Sequence, residues 1–189
     1  VCTLLCILIG IPIGILMSKN DWFQKVNIPV LDMLQTLPSF VYLIPLIFLF
    51  SATESKLYGI AIMLYAIVPV VRLTDLGIRL VDKDVIEAAD AFGMNKRQKL
   101  FGVEIPLALP TIMAGVNQTI MMALSMVVIA AMIGVPGLGV PVLRAVSNQY
   151  LALGVMNGLA IVAIAIIFDR VSQAFGKRLQ KHREGEHGA

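Results

Sequence analysis

Five long apolar runs constrain the fold of this chain more than any other feature of its sequence. Each approaches the ~20 consecutive apolar residues that an α-helix needs to cross a bilayer. With 58% hydrophobic and only 14% charged residues, the chain has too few polar side chains to cover a water-soluble domain. The sequence therefore predicts an all-helical integral membrane protein with at least five transmembrane helices, at 1–17, 33–50, 57–71, 107–133 and 151–168.

The first run, 1–17, is slightly short for a span and starts without a methionine. We expect it to begin partway into a helix of a longer protein. A signal peptide is the less favoured interpretation, because no basic leader precedes the run and no small-x-small cleavage pattern follows it.

The basic residues are distributed unequally between the two sides of the predicted membrane domain. If the spans alternate in direction, thirteen of the fifteen Lys and Arg residues share one side, and only Lys56 and Arg144 lie on the other. The positive-inside rule makes the first side cytoplasmic, together with the C-terminus. We expect a transmembrane domain over 1–171 and a basic cytoplasmic tail over 172–189. Since no groove-sized basic patch forms, the net charge of +3 does not point to nucleic acid.

Two G-x-x-x-G patterns predict close helix packing. They are Gly10 with Gly14 in the first run and Gly154 with Gly158 in the last. Small residues at this spacing let two helices approach closely in a membrane. Packing within one chain is the favoured interpretation, and a seam between two copies is the alternative.

A polar segment, 72–106, separates the third and fourth runs and carries six basic and six acidic side chains. Part of it has the apolar spacing of a short amphipathic helix, at Val85, Ala88, Ala89 and Phe92. We expect Gly93 to end this helix and Asn95 to cap a second short helix that stops before Pro106. The second helix opens with cations that oppose its dipole, which favours an anionic surface nearby, either lipid head groups or a docked protein.

The same segment contains a spaced motif. Residues 87–89 read Glu-Ala-Ala, Gly93 follows after three residues, and 103–106 read Val-Glu-Ile-Pro after nine more. This pattern resembles the EAA signature, E-A-A-x3-G-x9-I-x-L-P, of permease subunits in bacterial ATP-binding cassette (ABC) importers of the type I fold. Val103 and Ile105 depart from it conservatively.

The resemblance extends over most of the chain. The stretches 31–38, 110–119 and 123–130 look like permeases for glycine betaine, proline betaine and choline in osmoprotectant uptake. The resemblance implies a multi-pass protein of the bacterial inner membrane that works with an ABC ATPase subunit, an extracytoplasmic substrate-binding protein and a second permease copy. In that family the EAA loop docks on the ATPase, which implies docking positions here at Glu87, Ala88, Ala89, Gly93 and Met94.

The chain lacks the G-x-x-x-x-G-K-[ST] loop that binds nucleotide phosphates, since the glycines at 134–139 have neither the lysine nor the hydroxyl. We therefore expect a non-catalytic subunit without a cofactor or metal of its own, with ATP and Mg²⁺ bound by the partner ATPase.

The spans contain no ionisable residue at mid-membrane, because Asp32, Arg72 and Asp169 lie at predicted cytoplasmic ends. This disfavours a secondary transporter, and the docking loop disfavours a channel that acts alone; both remain alternatives. Uncharged polar residues are candidates for the translocation path, although hydrogen bonding between helices is their default role. They are Gln35, Thr36, Tyr42, Asn117, Gln118 and Ser125.

No aromatic cage for a quaternary ammonium group is evident, because the tyrosines are scattered and Trp22 lies in a predicted loop. The resemblance implies that the cage belongs to the binding protein. The outward segment 134–150 is the expected landing surface for that protein, and a re-entrant turn that closes the outer mouth is the alternative.

Overall fold

The computed structural model describes residues 2–38, 55–132 and 139–184, together with positions 41, 45, 48 and 137. Every regular element in these residues is helical, as predicted. The helices are α1 (Cys2–Lys19), α2 (Asp21–Thr36), α3 (Ser55–Arg79), α4 (Lys83–Ala91), α5 (Lys96–Lys99), a π-helical turn (Leu100–Glu104), α6 (Ile105–Met132), α7 (Gly139–Ser147) and α8 (Leu151–Glu184).

Four stretches of helix are long and apolar enough to cross a membrane: Cys2–Lys19, Gly59–Arg79, Lys96–Met132 and Leu151–Ala174. They correspond to the first, third, fourth and fifth predicted spans. The second predicted span, 33–50, lies mostly outside the described residues, and α2 covers only its start. The predicted class, an all-helical membrane protein, is confirmed.

Helix α3 packs against α1 through the first pair of glycines. A Cβ atom at Gly10 would lie 2.4 Å from Val70 Cγ1. At Gly14 it would lie 2.6 Å from Thr74 Cβ and 2.7 Å from the carbonyl oxygen of Val71. The backbones approach so closely that only glycine fits. The prediction that this G-x-x-x-G pattern packs within the chain is confirmed.

A second close contact of α3, with α6, is also made by glycines. A Cβ atom at Gly115 in α6 would lie 2.9 Å from Leu73 Cβ, and one at Gly77 in α3 would lie 3.0 Å from Thr111 Cβ. Helix α3 is therefore the central helix, with α1 and α6 held tightly against it. Buried apolar side chains fill the remaining space along it, including Met17, Val68, Val71, Ile78, Ala108 and Ile112.

Helix α8 packs on α6 over its second half. Gly176 faces the side chain of Met113, and the Ser172 hydroxyl donates a hydrogen bond to Asn117 Oδ1. The default interhelical role of Asn117 is confirmed. In its first half α8 meets α7, where a Cβ atom at Gly154 would lie 3.3 Å from Ala145 Cβ, whereas Gly158 has none of the described atoms within 4 Å of its Cβ position.

The polar segment 72–106 is shorter than its sequence indicates, because α3 continues to Arg79. The prediction that the second short helix stops before Pro106 is wrong. Helix α5, the π-helical turn and α6 form one continuous helical run. The Ile105 N–H donates to the Leu100 carbonyl in π geometry, and such a local adjustment lets a membrane helix continue through a proline, here Pro106. Similarly, residues 172–184 continue α8.

Candidate functional site: the EAA segment

The EAA segment, residues 83–106, begins with helix α4. Asp82 caps this helix, and its carboxylate accepts a hydrogen bond from the Asp84 N–H at 3.0 Å. At the other end the Gly93 N–H donates to the Asp90 carbonyl at 2.9 Å, and the Met94 N–H donates to the Ala89 carbonyl at 3.1 Å. These two bonds form a Schellman motif, which requires the left-handed φ of +73° at Gly93. The predicted helix end at Gly93 is confirmed.

Helix α5 starts immediately after this turn with a capping box. The Gln98 N–H donates to Asn95 Oδ1 at 2.9 Å, and the Asn95 N–H donates to Gln98 Oε1 at 2.9 Å. The predicted cap at Asn95 is confirmed. The Lys99 ammonium group forms a 2.6 Å ion pair with Asp90 and joins α5 back to α4. Local hydrogen bonds therefore fix the angle between the two short helices.

The predicted docking positions differ in their exposure. Glu87, Ala88, Gly93 and Met94 are exposed. Ala89 is only 4% exposed, so its small side chain faces the interior of this chain. The other four positions are therefore accessible from outside, whereas Ala89 is part of the packing of the segment.

An open groove of about 570 Å³ lies where α4 turns into α5. Its lining residues are Phe92, Gly93, Met94, Gln98, Phe101 and Gly102. Phe92 is 85% exposed and Phe101 is 66% exposed. Two exposed phenylalanines that line one groove of a polar segment are typical of an interaction surface. The periodicity placed Phe92 on the apolar stripe of α4, but Phe92 follows the last residue of the helix and projects away from it.

Phe101 was not singled out in the sequence. The available signal was an aromatic residue beside Gly102, shortly after the cluster of Lys96, Arg97 and Lys99. Glu104 stands at an unspecified position of the motif, yet its side chain is 4% exposed and forms an ion pair with Lys19, the last residue of α1. The two residues are 85 positions apart, so no local pattern connects them.

A second polar cluster joins the ends of α1, α2 and α3. Arg79 forms ion pairs with Asp21 at 2.8 Å and with Asp75 at 2.9 Å, and it donates to the Met17 carbonyl at 2.8 Å. The Gln24 amide donates to the other oxygen of Asp75 at 2.7 Å. Together with the Lys19 contact, this cluster brings the ends of three helices and the EAA segment to the same end of the molecule.

The candidate path residues do not share hydrogen bonds in the part of the chain that the structure describes. Thr36 donates to the Asp32 carbonyl and Ser125 to the Met122 carbonyl, each within its own helix. Asn117 is engaged with α8, whereas Gln35 and Gln118 are exposed.

One candidate path residue, Tyr42, lies outside the described residues. Among the residues that are described, no three His, Cys, Asp or Glu side chains converge as a metal site would require.

The chain resembles several known transport proteins. ProW of Escherichia coli strain K12, a glycine betaine/proline betaine transport system permease, is 49% identical over 175 residues, which are 92% of this chain and 49% of that protein. OpuAB of Bacillus subtilis strain 168, a glycine betaine transport system permease, is 48% identical over 90% of this chain and 60% of its own length. GbuB of Listeria monocytogenes, a glycine betaine/carnitine transport permease, is 48% identical over 93% of this chain and 62% of its own length. The chain thus spans less than two thirds of each relative.

An inward-facing structure of the MetNI methionine ABC transporter matches the fold with a TM-score of 0.71 at 17% identity, and the match covers 96% of this chain and 88% of that chain. The predicted type I importer fold is therefore confirmed. A family model described as "Binding-protein-dependent transport system inner membrane component" matches residues 7–181. Since this match covers nearly the whole chain, the chain belongs to the inner membrane components of binding-protein-dependent transport systems.

Proposed function

We propose that this chain is the permease subunit of an ATP-driven importer for a quaternary-ammonium osmoprotectant of the glycine betaine type. The observation that carries the proposal is the groove of the EAA segment, which presents Phe92 and Phe101 to a partner at the end of the molecule where α1, α3 and α6 meet. A chain without a phosphate-binding loop needs another subunit to hydrolyse ATP, and this groove is the surface on which that subunit would act.

The groove has the features of a docking site for a protein. Exposed aromatic side chains supply large contact area at low entropic cost, and such residues dominate binding energies in protein interfaces. The fixed angle between α4 and α5 holds the surface ready, which lowers the cost of binding. Gly93 and Met94 line the groove with the two phenylalanines, Glu87 and Ala88 are exposed on α4, and Ala89 is buried.

The substrate class is proposed from the relatives, because no aromatic cage is evident in the sequence. ProW, OpuAB and GbuB share glycine betaine in their names. A separate extracytoplasmic binding protein would supply recognition, and segment 134–150, including α7, would receive it. A second copy of the permease would complete the translocation path.

We also propose that the end of the molecule carrying the EAA segment faces the cytoplasm. The polar cluster brings Lys19, Arg79 and the EAA segment together, as an alternating topology requires. A single cysteine placed just after Lys177, in a chain with Cys2 and Cys6 replaced by alanine, should react with an impermeant maleimide in inverted vesicles but not in intact cells. A cysteine at Arg144 should show the reverse pattern, and labelling of the Lys177 site in intact cells would contradict this orientation.

The proposed function predicts both a partner and an activity. Tagged permease purified from its native membrane should bring an ATPase with it. The complex, reconstituted in liposomes with the binding protein, should import radiolabelled glycine betaine only when ATP is present on the ATPase side. Import without nucleotide, driven by a proton or sodium gradient, would instead support a secondary transporter.

Aspartate variants locate the docking surface. Phe92→Asp and Phe101→Asp should each reduce recovery of the ATPase at least tenfold, because a charge replaces an apolar contact that must lose its water on docking. The matched control is Val146→Asp on α7, where the valine is 71% exposed, as prominent as the two phenylalanines. Full recovery of the ATPase by both Phe variants would show that the groove is not the docking surface.

A further inference from the structure

Glu104 is the last residue of the π-helical turn, and its carboxylate is almost completely buried. A buried carboxylate is costly unless a cation neutralises it. Lys19 does so from the end of α1, with its own side chain still 44% exposed. The pair therefore joins the interior of the EAA segment to a helix that is remote in sequence.

The EAA segment reaches its neighbours in two different ways. It is covalently continuous with α3 through residues 80–82 and with α6 through the π turn, so a movement of the segment acts on those two helices directly. Helix α1 has no covalent connection to the segment: it packs on α3 through Gly10 and Gly14, and side chains tie down its end. Arg79 holds the Met17 carbonyl to α3, and Glu104 holds Lys19 to the EAA segment.

We propose that the Lys19–Glu104 ion pair carries movement of the EAA segment to the first span, and that import is coupled to ATP hydrolysis only while the pair is intact. Glu104 is thus a positioning residue, since it acts on the path through Lys19 and α1. The proposal rests on the function proposed above. The location of Glu104 in a π turn fits this role, because π turns replace the regular i→i−4 hydrogen bonds and are frequent at functional sites.

The test measures ATP hydrolysed per molecule of glycine betaine imported by the reconstituted complex of permease, ATPase and binding protein. Glu104→Gln keeps the size of the side chain and removes the charge. We expect it to raise this ratio at least threefold while the ATPase rate stays within twofold of wild type. Lys19→Arg keeps the cation and should keep the wild-type ratio, and Lys25→Gln on exposed α2 is the control for loss of one positive charge.

A charge exchange separates the ion pair from a local role of Glu104. The double variant Lys19→Glu/Glu104→Lys should bring the ratio back to within twofold of wild type. If Lys19→Glu and Glu104→Lys alone each fail to accumulate in the membrane, accumulation of the double variant supports the ion pair, and failure of the double variant to accumulate counts against it.

Two results would overturn the proposal. One is a wild-type ratio in Glu104→Gln, and the other is a raised ratio that the charge exchange does not restore. Failure of the proposed function gives a different result, because the wild-type complex itself would then show no ATP-dependent import.

Discussion

Replacing Gly14 with valine should prevent stable packing of α1 on α3. Even the Cβ atom would lie 2.7 Å from the Val71 carbonyl oxygen, which belongs to the backbone and cannot rotate away. The helices would have to separate along their length, at a cost of about 3 kcal/mol, the upper end of the usual penalty for overpacking. We expect the variant to be lost from the membrane or to unfold at a clearly lower temperature, as measured by fluorescence-detected size exclusion after heating.

The matched control is Gly158→Ala in α8, the second glycine of the other G-x-x-x-G pattern. No described atom lies within 4 Å of its Cβ position, so alanine should leave the melting temperature unchanged or slightly raise it, because alanine favours helix over glycine. Equal melting temperatures for Gly14→Val and wild type would mean that α1 does not pack on α3 through this glycine.

Replacing Gly93 with valine should uncouple the transporter. The obstacle is conformational, since space is open around Gly93 but its φ of +73° is strongly disfavoured for a β-branched residue. The Schellman motif would be lost, and with it the angle between α4 and α5 that places Phe92 beside Phe101. We expect ATP-dependent uptake to fall at least tenfold while the protein still accumulates in the membrane, because a Cβ atom at Gly93 has no described atom within 4 Å and so disturbs no helix packing directly.

Asparagine at position 93 provides the control. Asparagine tolerates the left-handed conformation far better than other non-glycine residues, so Gly93→Asn should retain most of the uptake. Wild-type uptake by Gly93→Val would show that the turn geometry is not required. An equal loss of uptake in both variants would show that any side chain at position 93 is harmful, whatever backbone angle it tolerates.

The features predicted correctly from the sequence are those that short-range chemistry determines. Run length and composition fix the membrane class. The glycine at position 93 and the asparagine at position 95 set the helix ends because turn and cap geometry depend on a few neighbouring residues. The close packing at Gly10 and Gly14 follows from their spacing on one helix face.

The features that the sequence did not predict depend on contacts between distant residues or on the choice between similar helical geometries. Lys19 and Glu104 meet only after three helices have packed, and nothing in either local sequence indicates the other. Pro106 was expected to end a helix, but the helical run continues through it after a π turn in which the Ile105 N–H donates to the Leu100 carbonyl. The periodicity at 85–92 indicated a helix correctly but placed Phe92 in its apolar stripe. Phe92 lies beyond the last residue of the helix, where side chains no longer follow the helical periodicity.

The continuous helix from Lys96 to Met132 makes the groove one end of a long lever. At 1.5 Å per residue the stretch from Gly115 to Met132 extends about 25 Å, so a tilt of about 5° about the close contact of Gly115 with α3 displaces Met132 by about 2 Å. Beyond Gly115, α6 stays packed on α3 and α1 through Ala123 and Met126. A rotation that starts at the groove would therefore also shift the packing at the far end of the helix.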